Sequence, residues 1–111
     1  MRSHNYFVYI TTNPGRSVVY VGMTNDLAKR LNEHYQNRGN PKSWSGKHYC
    51  YNLIWWERHQ YVNNAIEREK EIKKWRREKK NLLIASFNPD WEFLNNEVGA
   101  WDYLNISPSS K

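Results

Sequence analysis

Two short runs rich in aromatic and β-branched residues, separated by turn-forming residues, place the strongest constraint on the fold of this chain. The runs are Tyr6–Thr11 and Val18–Val21, and Asn13-Pro14-Gly15 lies between them. Runs of this composition that flank a turn sequence are typical of the two strands of a β-hairpin. We therefore expect the fold to be built on an N-terminal hairpin.

Each predicted strand carries a tyrosine. Because side chains alternate between the faces of a strand, Tyr9 shares a face with Phe7 and Thr11, and Tyr20 shares one with Gly22. Gly22 has no side chain, so we expect the second strand to end there and to leave open space beside the tyrosine.

The segment after the hairpin predicts an amphipathic helix. Asn25 or Asp26 can cap its N-terminus, and the helix runs to about Asn37. Its apolar stripe comprises Leu27, Leu31 and Tyr35. Arg30 and His34 are also four residues apart, so they lie together on a flank of that stripe.

The rest of the chain predicts one more strand and a long basic helix. Residues 39–47 are predicted as a loop, and the nearly continuous apolar run Asn52–Trp56 predicts a strand in a sheet covered on both faces. The helix is predicted from its cap Asn63 to Lys80, with a break near Asn81. The predicted fold is α+β, with a small three-stranded antiparallel sheet flanked by helices in the order β-β-α-β-α-α.

Length and composition restrict the chain to one small domain. A chain of 111 residues can bury one modest core. We expect a domain over residues 1–96 and a partly disordered tail over residues 97–111. Cys50 alone cannot form an internal disulfide. The N-terminus lacks the apolar segment of a signal peptide, and no apolar run approaches the ~18 residues of a membrane span, so we expect a cytoplasmic protein with no membrane partner.

One carboxylate of the basic helix falls on its apolar side. At 100° per residue Glu69 lies about 40° from Ala65, whereas Glu67 lies roughly opposite. A carboxylate in an apolar sector is costly unless it is paired or bound to a metal. Glu69 is therefore either a metal ligand or the ion-pair partner of Lys73 or Arg76.

Positive charge is concentrated in the same helix. The segment Arg68–Lys80 holds eight basic and three acidic residues, so its net +5 accounts for most of the chain's +6. Nucleic acid is the commonest partner of such a surface. The predicted nucleic-acid contacts are Lys29, Lys70, Lys73, Lys74, Arg76 and Arg77. The alternative is a solvated helix face on which Glu and Lys alternate.

An ordered set of positions runs through these segments. The matching features are Phe7-Val8-Tyr9, Tyr20-Val21-Gly22, then Arg30 and His34 after Gly22–Leu27, and Ala65–Lys73 around Glu69. In this order the chain resembles the GIY-YIG nuclease superfamily over roughly Tyr6 to Leu83. Residues 79–84 and 88–91 resemble the ends of small single-domain bacterial members related to the excinuclease C N-terminal domain.

The resemblance implies a divalent-metal-dependent endonuclease that hydrolyses phosphodiester bonds of DNA, with RNA as the alternative substrate. Glu69 would hold Mg²⁺ or Mn²⁺, which polarises the scissile phosphate, and Arg30 would bind the nonbridging oxygens. Tyr20, with Tyr9 or a metal-bound water, would position and deprotonate the attacking water. His34, with an ordinary pKa of about 6.5, would relay this proton or orient Tyr20.

The chain departs from the family pattern at identifiable positions. Phe7 and Val8 stand where the first tripeptide has glycine and isoleucine, and only Asn81 or Asn88 could supply the late asparagine of several members. Two other classes of function stay open at this stage. One is a nucleic-acid-binding module that retains the fold without turnover, and the other is a basic protein-interaction domain. The oligomeric state is not predicted.

Overall fold

The first two strands form the predicted hairpin. The computed structural model describes residues 4–100, in which β1 (Tyr6–Thr12) pairs antiparallel with β2 (Val19–Thr24). Asn13 closes the turn, because its Oδ1 accepts a 2.8 Å hydrogen bond from the backbone N–H of Ser17. A side chain that binds the backbone in this way stabilises a turn without regular secondary structure.

A third strand completes the sheet. β3 (Asn52–His59) pairs antiparallel with β1, so the strand order is β2-β1-β3 and β2 lies at an edge. The register between β1 and β3 shifts between Ile10 and Thr11. The strand continues three residues beyond the predicted end at Trp56. The predicted fold class, a three-stranded antiparallel sheet with helices, is confirmed.

The helix after the hairpin also matches its prediction. α1 spans Leu27–Gln36, and Asp26 caps it by accepting a 3.1 Å hydrogen bond from the backbone N–H of Lys29. Leu27 and Leu31 are buried, as the apolar stripe predicts, whereas Tyr35 is only half-buried and His34, predicted on the flank, is buried.

A short helix lies within the stretch predicted as a loop. α2 spans Trp44–Lys47, and Ser43 caps it with a 3.0 Å hydrogen bond from the N–H of Gly46 to Oγ. A Cβ added at Gly46 would lie 2.5 Å from the carbonyl oxygen of Asn37, so the helix packs directly against the end of α1. Four residues are too few to show a helical period in the sequence.

The long basic helix is two helices. α3 spans Val62–Lys73 and α4 spans Arg77–Phe87, so the prediction of one helix to Lys80 with a break near Asn81 is wrong. The break falls at residues 74–76, where Trp75 packs against the core and turns the chain. Because charged residues continue on both sides of the break, the sequence pattern does not show where α3 ends and α4 begins. Within residues 4–100, no helix has both the length and the apolar character needed to cross a bilayer.

Each face of the sheet carries its own core. Helices α3 and α4 cover one face, and that core comprises Val8, Ile10, Val21, Ile54, Trp55, Ala65, Ile72 and Ile84. Helix α1 and the segment after α4 cover the other face, where the core comprises Tyr9, Leu27, Leu31, Leu53, Leu94 and Ala100. Tyr9 and its neighbours on α1 therefore lie on the face opposite α4.

Residues 88–100, which we call the C-terminal segment, are hydrogen bonded to β3 through two buried side-chain amides. The side-chain NH₂ of Asn88 donates to the carbonyl oxygen of Ile54 at 3.0 Å. The side-chain oxygen of Asn95 accepts from the N–H of Leu53 at 2.7 Å. β3 is an edge strand that pairs only with β1, so no strand can satisfy the backbone groups on its other side, and the two amides complete the hydrogen bonding there.

The C-terminal segment also contacts the turn between β1 and β2. Arg16 donates from Nε to the carbonyl oxygen of Trp91 at 2.9 Å, and its guanidinium lies 4.1 Å from the ring centroid of Phe93. A 3₁₀ helix follows at Asn96–Val98, and Ala100 is buried in the second core. The proposed domain boundary at residue 96 stays a prediction, since residues 101–111 of the tail lie outside the described part of the chain.

Candidate active site

Tyr9 lies at the centre of the candidate site. Its side chain is fully buried, and Gly22 is its direct partner on β2. A Cβ added at Gly22 would lie 2.5 Å from Cζ of Tyr9, so the tyrosine ring occupies the space above this glycine. The strand does not end at Gly22 as predicted, because β2 continues to Thr24. The space beside the tyrosines is filled rather than open.

His34 is hydrogen bonded through both ring nitrogens. Its Nε2 lies 2.8 Å from the hydroxyl of Tyr9, and its Nδ1 lies 3.1 Å from Oγ of Ser45. Burial, with a further contribution from the charge of Arg30 and against the effect of Glu33, lowers the pKa of His34 to about 4. The imidazole is neutral at pH 7, so one nitrogen donates and the other accepts.

The Tyr9 hydroxyl remains a phenol. Burial is the main cause of the raised pKa of Tyr9, the neighbouring Tyr20 acts in the same direction, and Arg30 opposes both. A group that stays protonated can donate a hydrogen bond but cannot act as a base at neutral pH. Tyr9 is thus suited to hold His34 in place.

Tyr20 occupies the more open side of the same group of rings. Its ring centroid lies 6.3 Å from that of Tyr9 and 5.5 Å from that of His34, whose ring it meets edge-on at 72°. Its side chain is partly exposed, and it lies on the edge strand. Of the two tyrosines, Tyr20 is the one that solvent can reach.

Arg30 brings a positive charge to these rings. Burial acts to lower the pKa of Arg30, but the nearby Tyr9, Glu33 and Tyr20 outweigh burial and raise it, and the side chain is 37% exposed. Nη1 donates to Oε1 of Glu33 at 3.0 Å. Glu33 was not predicted, although its spacing of three residues from Arg30 on a helix makes contact expected. The ion pair holds Arg30 at the site surface with donors still free for a ligand.

Glu69 approaches the site from α3. Its side chain is 20% exposed, whereas Glu67 is exposed, as the helical phase predicts. Lys73 Nζ lies 3.4 Å from Oε2 of Glu69 and 5.9 Å from the ring centroid of Tyr20. The charge of Glu69 also contributes to the raised pKa of Tyr9, although less than the other causes. The predicted ion pair is present, and it borders the rings.

The donor set around Glu69 contains one carboxylate. Among residues 4–100, no three His, Cys, Asp or Glu side chains lie close enough together to hold a metal ion. Mg²⁺ is commonly bound through one or two carboxylates, with waters and substrate phosphates as the remaining ligands. A lone carboxylate oxygen donor therefore fits a divalent ion whose other ligands come from water and substrate.

The predicted nucleic-acid contacts do not share one helix face. Lys29 is on α1, Lys70 and Lys73 are on α3, Lys74 and Arg76 lie in the break, and Arg77 begins α4. All six residues are exposed. The guanidinium of Arg77 already makes two hydrogen bonds within the protein: it donates to the carbonyl oxygen of Ser17 at 3.1 Å and to Oδ1 of Asn81 at 2.9 Å. The predicted contacts are therefore divided among α1, α3, the break and α4.

Sequence reasoning missed two residues on α2. Ser45 is buried against His34, and Trp44 stacks on Tyr20 with ring centroids 5.9 Å apart and planes 25° from parallel. The one available signal was Ser43, three residues before Gly46, which has the spacing of an N-cap. Neither Asn81 nor Asn88 is hydrogen bonded to a site residue; Asn81 accepts from Arg77, and Asn88 holds β3.

Comparison with known proteins gives three results. The model of the GIY-YIG catalytic domain matches residues 5–81. A UPF0213 protein from Bacillus pumilus is 33% identical over 92 residues, which cover 83% of this chain and 91% of the relative. The solution structure of a UPF0213 protein from Bacillus halodurans superposes with a TM-score of 0.51 at 23% identity, over 87% of this chain and 99% of the other, which shows a shared fold.

Proposed function

The chain belongs to the GIY-YIG family, a family of nuclease domains, and from that premise we propose that it is an endonuclease that hydrolyses phosphodiester bonds of DNA with a divalent metal ion. The observation that carries the proposal is the convergence of Tyr9, Tyr20, Arg30 and His34. They come from two strands and a helix, and their rings and charges contact one another. Packing alone does not require a buried tyrosine–histidine hydrogen bond next to a partly exposed arginine.

We assign the attack on phosphorus to a water held by Tyr20. The phenolate form of Tyr20 orients the water and takes its proton, which restores the phenol, as the oxygen–phosphorus bond forms. The bond to the leaving oxygen breaks in the same step, and that oxygen takes a proton from solvent. Tyr9 is unsuited to this role because burial keeps its hydroxyl protonated. Its hydrogen bond instead holds His34, whose ring meets Tyr20 edge-on and limits where the Tyr20 ring can move.

Arg30 stabilises charge on the phosphate. As the attacking oxygen approaches, negative charge grows on the nonbridging oxygens, and the planar guanidinium can donate two hydrogen bonds to them. Its partial exposure at the site surface lets a phosphate reach it without displacing buried groups. The bond to Glu33 uses one donor and fixes the direction of the side chain.

Glu69 would hold the metal ion. A divalent cation bound there supplies positive charge that polarises the phosphate and stabilises the leaving oxygen. Without the metal ion, Nζ of Lys73 lies 3.4 Å from the Glu69 carboxylate, and this ion pair keeps the carboxylate beside the site. DNA is the proposed substrate, RNA is the alternative polymer, and the exposed lysines of α1 and α3 would contact the phosphate backbone.

A pair of substitutions on one helix tests the metal site. Glu69→Gln keeps the shape and removes the charge, so we expect cleavage and metal affinity to fall together by about 100-fold or more, while the melting temperature changes little. Glu67→Gln is the matched control, because Glu67 is on the same helix but exposed to solvent. Cleavage would be followed on labelled DNA and RNA substrates at increasing magnesium or manganese concentration and with chelator.

The same experiment separates the two classes of nucleic-acid function. Cleavage that persists in chelator, or equal effects of the two substitutions, contradicts the metal site at Glu69. Binding of DNA without cleavage under every metal condition favours the module that retains the fold without turnover.

A further inference from the structure

Three aromatic rings form a series that leads from the site to the protein surface. Trp44 stacks on Tyr20, and the ring of His48 lies 4.3 Å from that of Trp44 between centroids, at 45°. Trp44 is 49% exposed. Single exposed apolar residues are normal on protein surfaces, but this indole lies directly against a residue of the active site.

The position of Trp44 is fixed by its neighbours on α2. Ser45 is hydrogen bonded to His34, and the carbonyl oxygen of Ser45 accepts a 2.9 Å bond from the N–H of Cys50. Gly46 packs against the end of α1, and its carbonyl oxygen accepts a 2.8 Å bond from the N–H of Gly39. The exposed indole is thus held rigidly next to the catalytic rings, which lowers the entropy cost of binding a ligand against it.

The surroundings of Trp44 favour an anionic ligand. Residues 34–56 contain no aspartate or glutamate, but they include Arg38, Lys42 and Lys47. Lys42 and Lys47 are exposed on either side of Trp44 in the sequence. Proteins that bind single-stranded nucleic acid combine an exposed aromatic ring, on which a base stacks, with cations that contact the phosphates, and this segment holds both kinds of residue.

We propose that Trp44 is a stacking site for an unpaired nucleobase beside the scissile phosphate, so that the substrate is nucleic acid with single-stranded nucleotides at the cleavage position. This inference rests on the proposed nuclease function. Bases in a continuous duplex are already stacked on their neighbours and present only their edges to a protein, so a duplex cannot use the indole face. The site is tolerant of base identity because every base has a π face.

Substitutions at Trp44 separate stacking from simple covering of Tyr20. Trp44→Leu keeps an apolar cover but removes the aromatic face, and Trp44→Phe keeps a smaller face. The matched control is Tyr61→Leu, which removes an aromatic side chain that is 62% exposed at the start of α3. Affinities would be measured in chelator, where cleavage is not needed, by anisotropy of labelled oligothymidine and of a duplex of equal length.

We expect Trp44→Leu to weaken binding of the single strand by about 5- to 100-fold and binding of the duplex by less than about twofold. Trp44→Phe should recover most of the loss, and Tyr61→Leu should change neither affinity. A single strand with one abasic position identifies the stacked base. The abasic position that weakens binding to the natural chain should not weaken binding to the Trp44→Leu variant further, since both changes remove the same contact.

The outcomes distinguish this inference from the proposed nuclease function. Unchanged single-strand affinity of Trp44→Leu, an equal loss for both polymers, or additive effects of Trp44→Leu and the abasic position each overturn the stacking site. Loss of stacking affinity in a protein that never cleaves would support the stacking site and contradict the nuclease. Failure of the natural chain to bind either polymer overturns both.

Discussion

Substitution of Gly22 by alanine tests the arrangement of the site through stability. The backbone of Gly22 is not in the left-handed region, so alanine fits its conformation and would ordinarily stabilise the fold by about 0.4–1 kcal/mol. The new Cβ would lie 2.5 Å from Cζ of Tyr9, although carbon atoms prefer a separation of about 3.5–4.0 Å. The buried ring must move by roughly 1 Å, and His34 holds its hydroxyl at 2.8 Å.

The expected cost follows from these two contacts. Overpacking a buried site costs about 1–3 kcal/mol, and loss of the Tyr9–His34 hydrogen bond adds about 1 kcal/mol. We expect Gly22→Ala to lower the free energy of unfolding by about 2–4 kcal/mol, which corresponds to about 10–25 °C in melting temperature for a domain of this size. Urea and thermal unfolding followed by circular dichroism measure both values.

A control and a double variant make this prediction sharp. Gly15→Ala adds the same atom in an exposed turn, where the nearest atom is 3.9 Å away, so stability should change by less than about 0.5 kcal/mol. In a Tyr9→Ala background Gly22→Ala should cost much less, because the buried ring is absent and the remaining close contact is 3.0 Å to Cε2 of Tyr20, whose ring is only partly buried. A Gly22→Ala variant as stable as the natural chain would refute the placement of Tyr9 over Gly22.

The other predictions concern catalysis and pH. Arg30→Ala should reduce the rate of cleavage by about 100-fold or more while the DNA affinity stays nearly unchanged. Lys74→Ala should weaken DNA binding and reduce the slope of log affinity against log salt by about one. Cleavage rates and DNA affinities measured across a salt series test both predictions. Tyr20→Phe should abolish the rise of the cleavage rate toward alkaline pH. Tyr9→Phe should keep that rise, because burial holds the Tyr9 hydroxyl protonated. An unchanged pH profile of the Tyr20→Phe variant would show that another group is the base. Burial lowers the pKa of His34 from 6.5 to about 4 in the folded protein, so the unfolded chain binds the proton first as pH falls. The free energy of unfolding should therefore be at its full value above pH 6.5 and fall by about 3 kcal/mol toward pH 4. Denaturation curves of the His34→Gln variant at several pH values should lack this decrease.

The sequence predicts those parts of the fold that rest on local signals. Asp26 has the chemistry of a cap and caps α1, and Asn13 has the chemistry of a turn and closes the hairpin. The phase of Glu69 on its helix is likewise a local property, and the structure gives it the expected partial burial. In each case the residue acts on neighbours within a few positions of the chain.

The missed features depend on contacts between distant segments. The break before α4 follows from Trp75 packing on the core, and nothing in the basic run marks it. The role of Ser45 depends on His34, eleven residues away on another helix. The filled space above Gly22 depends on which strand pairs with β2, and strand pairing is decided by the register of the whole sheet.

The C-terminal segment sets the time at which the active site can form during synthesis. The family match ends at residue 81, yet Leu94 and Ala100 complete the core around Tyr9, and Asn88 and Asn95 complete the hydrogen bonds of β3. When a nascent chain has emerged from the ribosome only as far as α4, the face of the sheet that carries Tyr9 is therefore exposed to water. Water on that side removes the packing around Tyr9 and the burial that lowers the pKa of His34. The candidate site is therefore complete only after residue 100 has left the ribosome, and shorter chains lack the buried Tyr9–His34 pair.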